Sequence, residues 1–185
     1  MNEQELIQQL QQRDENAFRW LVEAYHNKVY HTALNILHDA EDAEDSAQEV
    51  FIQVYESISS FKQESMLSTW IFRIAVRKAL DKLRRRKTRQ RLHTLLPWWM
   101  PGEKKDQASA FYHPGIALEN KEKASVLFRA IDALPEKQKV AITLIKVHGM
   151  NYEEAGAIMQ QSIKAIESLV SRAKQNLQKQ LQKII

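Results

Sequence analysis

No cysteine occurs among the 185 residues, so disulfides, a zinc finger and a thiol nucleophile are all excluded. Glycine and proline are scarce, four of each. No stretch alternates apolar and polar residues as a half-buried strand would, and the expected class is all-α. No apolar run approaches the roughly 18–20 residues that a membrane-spanning helix needs. The N-terminus, MNEQELIQQLQQRD, is polar and acidic, unlike a signal peptide; the expected location is cytoplasmic, with no membrane contact of its own. An HExxH pair, a nucleophile elbow and a glycine-rich phosphate loop are also missing. The histidines (His26, His31, His38, His93, His113, His148) are scattered. His31 and His38, seven apart, can share a helix face but lack further ligands. The chain therefore offers no catalytic residue, no metal site and no cofactor site.

Charge is what the chain has in quantity, and it is polarised. The net charge is only +4, yet residues 39–49 hold six acids (Asp39, Glu41, Asp42, Glu44, Asp45, Glu49) and no base. Residues 77–91 hold nine bases against one acid, Asp81. Such asymmetry points to two partners of opposite charge.

The stretch Ser68–Arg91 organises the rest. Ser68 is a candidate N-cap, and Phe72, Val76, Ala79, Leu80 and Leu83 form an apolar stripe at helical spacing. Arg73, Arg77 and Arg84 line one side of the opposite face; Lys78, Lys82 and Arg85 line the other. A helix anchored on one side and cationic on the other suits a phosphate backbone, because each contact releases condensed counterions. The plain alternative is a solvated surface helix.

Upstream, Leu6, Ile7 and Leu10 mark a short helix, and Asp14 can cap the next, whose apolar positions are Phe18, Leu21, Val22, Tyr25, Val29, Ala33, Ile36 and Leu37. A third helix follows Asp39 with a buried stripe of Ala43, Ala47, Val50, Phe51, Val54, Tyr55 and Ile58. Its opposite face gathers Glu41, Asp42, Asp45, Glu49 and Glu56. Acids in a first turn suit the macrodipole, which accounts for Glu41 and Asp42 alone; like charges on one face repel, so the others suggest a basic partner. Residues 59–68 read as a polar loop, and the pattern stops after Arg91. There three prolines, two glycines and a charged tract make a linker. Trp98 and Trp99 within it either bind something or fold back on a neighbouring domain.

A second helical block begins near Ile116. Val126, Leu127, Ala130, Ile131 and Leu134 give one helix. Pro135 suits the first turn of the next, with Val140, Ala141, Leu144, Ile145 and Val147 apolar, and Gly149 can end it. Asn151 with Glu154 forms a capping box for a short helix, Tyr152–Met159. After a turn, Gln160–Ser162, a last helix turns Ile166, Leu169, Val170, Ala173, Leu177, Leu181 and Ile184 inward. This is a helix-turn-helix. Lys164, Glu167, Ser168, Ser171, Arg172 and Gln175 on its outward face suit base edges and phosphates.

Two stretches, DAEDAEDSAQEVFIQVYESISSF (39–61) and STWIFRIAVRKALDKLRRRK (68–87), resemble region 2 of the extracytoplasmic-function sigma factors, the RNA polymerase initiation factors of the sigma-70 family. ALPEKQKVAITLIKVHGMNYEEAGAIMQQSIKAIESLVSRAKQNL (133–177) resembles their region 4. The resemblance covers nearly the whole chain. It implies region 2 over residues 1–91, a flexible linker over 92–119 and region 4 over 120–185. It also implies that Asp42, Asp45, Gln48 and Glu49 dock on the clamp helices of core RNA polymerase, while Phe51 is expected in the core. Trp70, Arg73, Arg77, Lys78, Lys82, Arg84 and Arg85 would then meet the minus-ten promoter element. A loop containing Phe61, Lys62, Ser65, Met66 and Ser68 would capture a flipped base, whose edges a duplex hides. Ser162, Lys164, Glu167, Ser168, Ser171 and Arg172 would meet the minus-thirty-five element, and an anti-sigma factor would cover these surfaces.

The chain departs from the family where Arg77 stands for a frequent Asn, Glu167 for a basic residue and Leu169 for Arg; Leu169 faces inward by spacing. An acid at 167 repels phosphate but accepts from a cytosine amine. Two rival readings are a stand-alone helix-turn-helix regulator and a small nuclease holding metal on the acidic helix. The first would bind duplex tightly alone and the second would cleave with magnesium, whereas a sigma factor binds strongly only with core polymerase.

Overall fold

A computed structural model describes residues 2–95 and 121–182, and every regular element among them is helical. Helix α1 (Glu3–Gln11), α2 (Glu15–Leu37), α3 (Ala40–Ser57) and α4 (Leu67–Leu95) form the first unit. The early helix starts are local. Asn2 and Glu5 make a capping box on α1; the Asp14 carboxylate accepts from the Ala17 N–H at 2.8 Å and that of Asp39 from Asp42 at 2.9 Å.

α4 begins differently from expectation. Ser68 lies inside its first turn, and the Leu67 N–H donates to the Glu3 carboxylate of α1 at 2.6 Å. The cap is therefore supplied from across the unit. Gln11 of α1 donates to the Phe61 carbonyl at 3.1 Å and to the Ile58 carbonyl at 3.4 Å. Together these bonds tie the connection between α3 and α4 to α1, where Ile58–Ser60 forms a 3-10 turn rather than an open loop. α4 also continues past Arg91 to Leu95. Residues 96–120, including Trp98 and Trp99, lie outside the described set.

The core of this unit joins Leu6, Ile7, Leu10, Leu21, Val29, Val50, Phe51, Val54 and Ile71, all buried. Each such side chain contributes on the order of 1.5–3 kcal/mol of transfer free energy. Tyr55, expected in this stripe, is exposed: it lies edge-on to Phe18 with centroids 5.1 Å apart, under the Arg13 guanidinium at 5.2 Å.

The second unit contains α5 (Lys121–Asp132), α6 (Glu136–Ile142), α7 (Tyr152–Met159) and α8 (Ile163–Gln182). Pro135 stands immediately before α6 and its carbonyl accepts from Gln138 and Lys139. Past Ile142 the helix widens into a π turn, Thr143–Val147, where the His148 N–H reaches five residues back to Thr143 at 3.1 Å. That extra residue rotates Val147 outward, so it is exposed instead of buried as its apolar character suggested. Leu127, expected inward on α5, is likewise exposed.

The helix-turn-helix forms as its spacing predicts. Asn151 and Glu154 exchange bonds of 2.8 Å in each direction at the start of α7. Gln160 adopts the left-handed conformation at φ 54°, and a Cβ on Gly156 would stand 2.8 Å from the Gln161 carbonyl. Only glycine allows that approach. Ser162 accepts from the Ala165 N–H at 3.2 Å and begins α8, whose Ile166, Val170 and Ala173 are buried.

The two units share one apolar cluster. Ala33, Leu34 and Leu37 of α2 and Phe72, Val76, Ala79 and Leu83 of α4 continue into Val140, Leu144, Ile158 and Ile166 of the second unit. Five polar ties flank it. Arg73 Nε donates to the Ala157 carbonyl at 2.9 Å, Arg84 Nε meets Glu136 at 3.1 Å and Lys87 meets it at 3.5 Å. His38 Nδ1 lies 3.3 Å from Asp132, and Thr32 Oγ1 lies 2.9 Å from His148 Nε2.

Candidate polymerase and nucleic-acid interfaces

α3 and α4 lie side by side in register, and their charges meet. Lys78 Nζ is 3.3 Å from Glu49, Lys82 Nζ is 3.2 Å from both Asp42 and Asp45, and Arg86 is 3.5 Å from Asp42 while donating to the Leu37 carbonyl at 2.8 Å. Burial draws the Lys82 ammonium downward, but the Asp45 and Asp42 carboxylates outweigh it and hold its pKa above the ordinary lysine value. The repulsion expected along α3 is thus relieved within the same unit. These pairs are partly solvated, so each contributes at most about 1 kcal/mol.

The acidic face nonetheless stays accessible. The side chains of Asp45 and Glu49 remain 60% and 53% exposed beside exposed Gln48; Asp42 is half-buried and Phe51 is in the core, as expected. The helix period extends this face to Ile52, 58% exposed. Sequence reasoning passed over Ile52 because it lies off the buried stripe. Its place four residues after Gln48 and three after Glu49 is the signal that could have found it.

The other side of α4 faces the second unit across a cleft of about 740 Å³, lined among others by Phe61, Lys62, Trp70, Arg73, Arg77 and Arg84. Arg77 and Arg84 are exposed and Arg73 half-buried; Arg85 is exposed. The structure therefore separates the seven promoter candidates on α4. Trp70, Arg73, Arg77 and Arg84 share the cleft, whereas Lys78 and Lys82 turn to α3's carboxylates, the nearest anions within their reach.

The flipped-base candidates divide as well. Phe61 is buried against Trp70, ring centroids 4.8 Å apart, and anchors the loop. Lys62 and Met66 project outward, Ser65 and Ser68 are half-buried, and Gln63 adopts a left-handed backbone at φ 58°. On α8, Lys164, Glu167, Ser171 and Arg172 are exposed and Ser168 half-buried on one face, with Ser162 capping its first turn. Leu169 packs against the core. Exposed Ile163, one turn before Glu167 on α8, was missed, since it reads as an ordinary helix residue.

Both helical units match proteins with known roles. The models for Sigma-70 region 2 and Sigma-70 region 4 match residues 21–89 and 125–177. The RNA polymerase sigma-H factor of Pseudomonas aeruginosa is 30% identical over 184 residues, covering 99% of this chain and 95% of the relative. The ECF RNA polymerase sigma-E factor of Haemophilus influenzae is 31% identical over 191 residues, covering 100% of this chain and 98% of the relative. This chain belongs to the extracytoplasmic-function sigma factors.

As a sigma factor it is an initiation factor and not an enzyme. It binds core RNA polymerase, recognises the minus-ten and minus-thirty-five promoter elements and promotes melting at the start site. A stand-alone regulator would account for the region 4 match alone, and a nuclease for neither match. The fold agrees with the solved structure of the sigma factor RpoE in complex with the anti-sigma factor NepR from Bartonella quintana. The TM-score is 0.66 at 24% identity, over 89% of this chain and 96% of that one. No helix among the described residues is long and apolar enough to cross a membrane.

Proposed function

We propose the following division of labour within the sigma factor. Residues 1–91 act as region 2, 92–119 as the linker and 120–185 as region 4. Asp42, Asp45, Gln48 and Glu49, extended by Ile52, meet the polymerase clamp. Trp70, Arg73, Arg77, Arg84 and Arg85 meet the minus-ten element, with Lys62, Ser65, Met66 and Ser68 around a captured base and Phe61 fixing their loop. Lys78 and Lys82 serve chiefly to hold the docking acids in register. Ser162, Lys164, Glu167, Ser168, Ser171 and Arg172 meet the minus-thirty-five element in the major groove. The protein works in the cytoplasm, where its polymerase and promoter are, and an anti-sigma factor covers these surfaces, as NepR binds RpoE.

The observation that carries this reading is the placement of acids and cations on opposite sides of the α3–α4 pair: a protein partner and DNA can be held at once without contending for one surface. Pull-down of purified protein with core polymerase tests it. Asp45→Ala with Glu49→Ala should weaken association by about tenfold or more while leaving the helical circular dichroism unchanged; undiminished association would remove the docking assignment.

A further inference from the structure

Helix α1 carries no residue of the surfaces assigned above, yet its polar contacts converge on one of them. Gln11 Nε2 donates to the Ile58 and Phe61 carbonyls at 3.4 and 3.1 Å, where the base-capture loop begins. The Glu3 carboxylate accepts from the Leu67 N–H at 2.6 Å, where the loop ends. Apolar packing repeats the arrangement: Leu6, Ile7 and Leu10 share a core with Ile58, Phe61 and Leu67.

The two anchors set a length. Gln11 follows Glu3 by eight positions, which places them on one helix face about 12 Å apart. The segment from Phe61 to Leu67 reaches roughly 20 Å when extended. Fastened to anchors closer than that, it has slack, and the slack bows away from α1 because Phe61 and Leu67 at its ends are buried. Lys62, Gln63, Glu64 and Met66 are accordingly exposed, and the backbone turns at Gln63 with φ 58°. That left-handed conformation is costly for a residue other than glycine and persists where the flanking chain is held on both sides.

We propose that Glu3 and Gln11 are positioning residues for base capture: α1 is a template that fixes the arch of the loop, and through it the place of Lys62, Ser65 and Met66 against the captured base. This rests on the assignment of that loop to base capture. Discrimination between bases depends on where a few side chains stand, because a base that leaves their polar groups unpaired is rejected. A loop released at either end keeps its residues but samples several arches, so it loses selectivity at one base before it loses affinity for DNA.

The test uses holoenzyme reconstituted from the full chain and bacterial core polymerase. It is offered a duplex DNA pool of random sequence, and the bound molecules are sequenced. Gln11→Glu keeps the shape of the side chain but turns a carboxylate toward two carbonyl oxygens, and Glu3→Ala removes the acceptor for Leu67. Each should lower the preference for the favoured base at one position of the enriched minus-ten motif by about three- to tenfold. Preferences in the minus-thirty-five motif and affinity for core polymerase should stay as in the parent. Gln11→Lys keeps a donor and suits a helix C-terminus, so it should restore the lost preference.

Unchanged preference in both Gln11→Glu and Glu3→Ala overturns the proposal. So does a loss shared equally by the minus-thirty-five motif or by core affinity, or one that Gln11→Lys does not restore, since each marks a merely structural role. Lys62→Ala combined with Met66→Ala, in the parent, separates this idea from the one beneath it. Loss of preference at a single minus-ten position upholds base capture by the loop even where the α1 variants have no effect. No change removes the base-capture assignment, and the positioning role with it.

Discussion

The cations on the two sides of α4 are alike in chemistry but differ in what holds them. Lys78, Lys82 and Arg86 are held by α3, a neighbour in the same unit separated by one short connection and fixed in register by a shared core. Arg73, Arg84 and Lys87 are held by α6 and α7, which belong to a separate helical unit reached only through residues 96–120. The first set forms with the fold of region 2 and lasts as long as that fold. The second lasts only while the units stay together. One helix therefore carries one set of ion pairs that forms within its own unit and a second set that spans the two units.

The largest break in this comparison comes from unseating region 4. Ile166 of α8 is fully buried beside Gly156 of α7 in the helix-turn-helix. Ile166→Ala should cost about 2–5 kcal/mol, read in denaturant unfolding, and should release the α6 and α7 partners of α4 while leaving the α3 pairs formed. Loss of protection from hydrogen exchange along α3 as well would contradict the separation. A smaller break is expected from acid. Burial, with His31 and Lys28 of α2 adding repulsion, pushes the His148 pKa down to about 4 from its ordinary 6.5. Packing of the second unit against α2 and α4 binds the neutral ring, so its contribution is whole above pH 6.5 and is lost as pH falls toward 4. Asp132, held below the usual carboxylate range by His38 and Lys139 against its burial, loses its contribution in the same direction at still lower pH. The radius of gyration in solution scattering should rise between pH 6.5 and 4 as the units separate, and Thr32→Val should flatten that response; a radius independent of pH would contradict it.

Smaller still is the cap. Glu3→Gln should cost about 1 kcal/mol through the start of α4, read as a lower melting temperature. Last comes Lys82→Met, expected to cost under about 1 kcal/mol because its pairs are partly solvated. It should leave oligonucleotide binding nearly unchanged, which sharpens the claim that this side of α4 is not the DNA side.

How much of this the chain reveals by itself follows from range. Asp14, Asp39 and the Asn151–Glu154 box act within three residues, and their helix starts are where the sequence places them. The apolar periodicity of α2 and α8 and the helix-turn-helix are equally local. The cap on Leu67 is not: Glu3 lies 64 residues upstream, and Ser68 offered a plausible local substitute. The π turn that exposes Val147 has no sequence mark separating it from continued α-helix. Tyr55 has helical spacing for the core, yet Arg13 and Phe18 offer it a surface seat. For the site, the acids and bases were legible as sets, but which base faces which acid depends on the register of α3 against α4. The seat of region 4 on α4 depends on residues 49 to 84 positions apart.

Promoter opening by the reconstituted holoenzyme tests the division of α4 most directly, with Arg73→Ala and Arg77→Ala combined and core-polymerase affinity measured on the same preparation. The account predicts permanganate-reactive promoter thymines reduced about tenfold or more, with core affinity unchanged. Normal opening, or a loss of core affinity that matches the loss of opening, would contradict it.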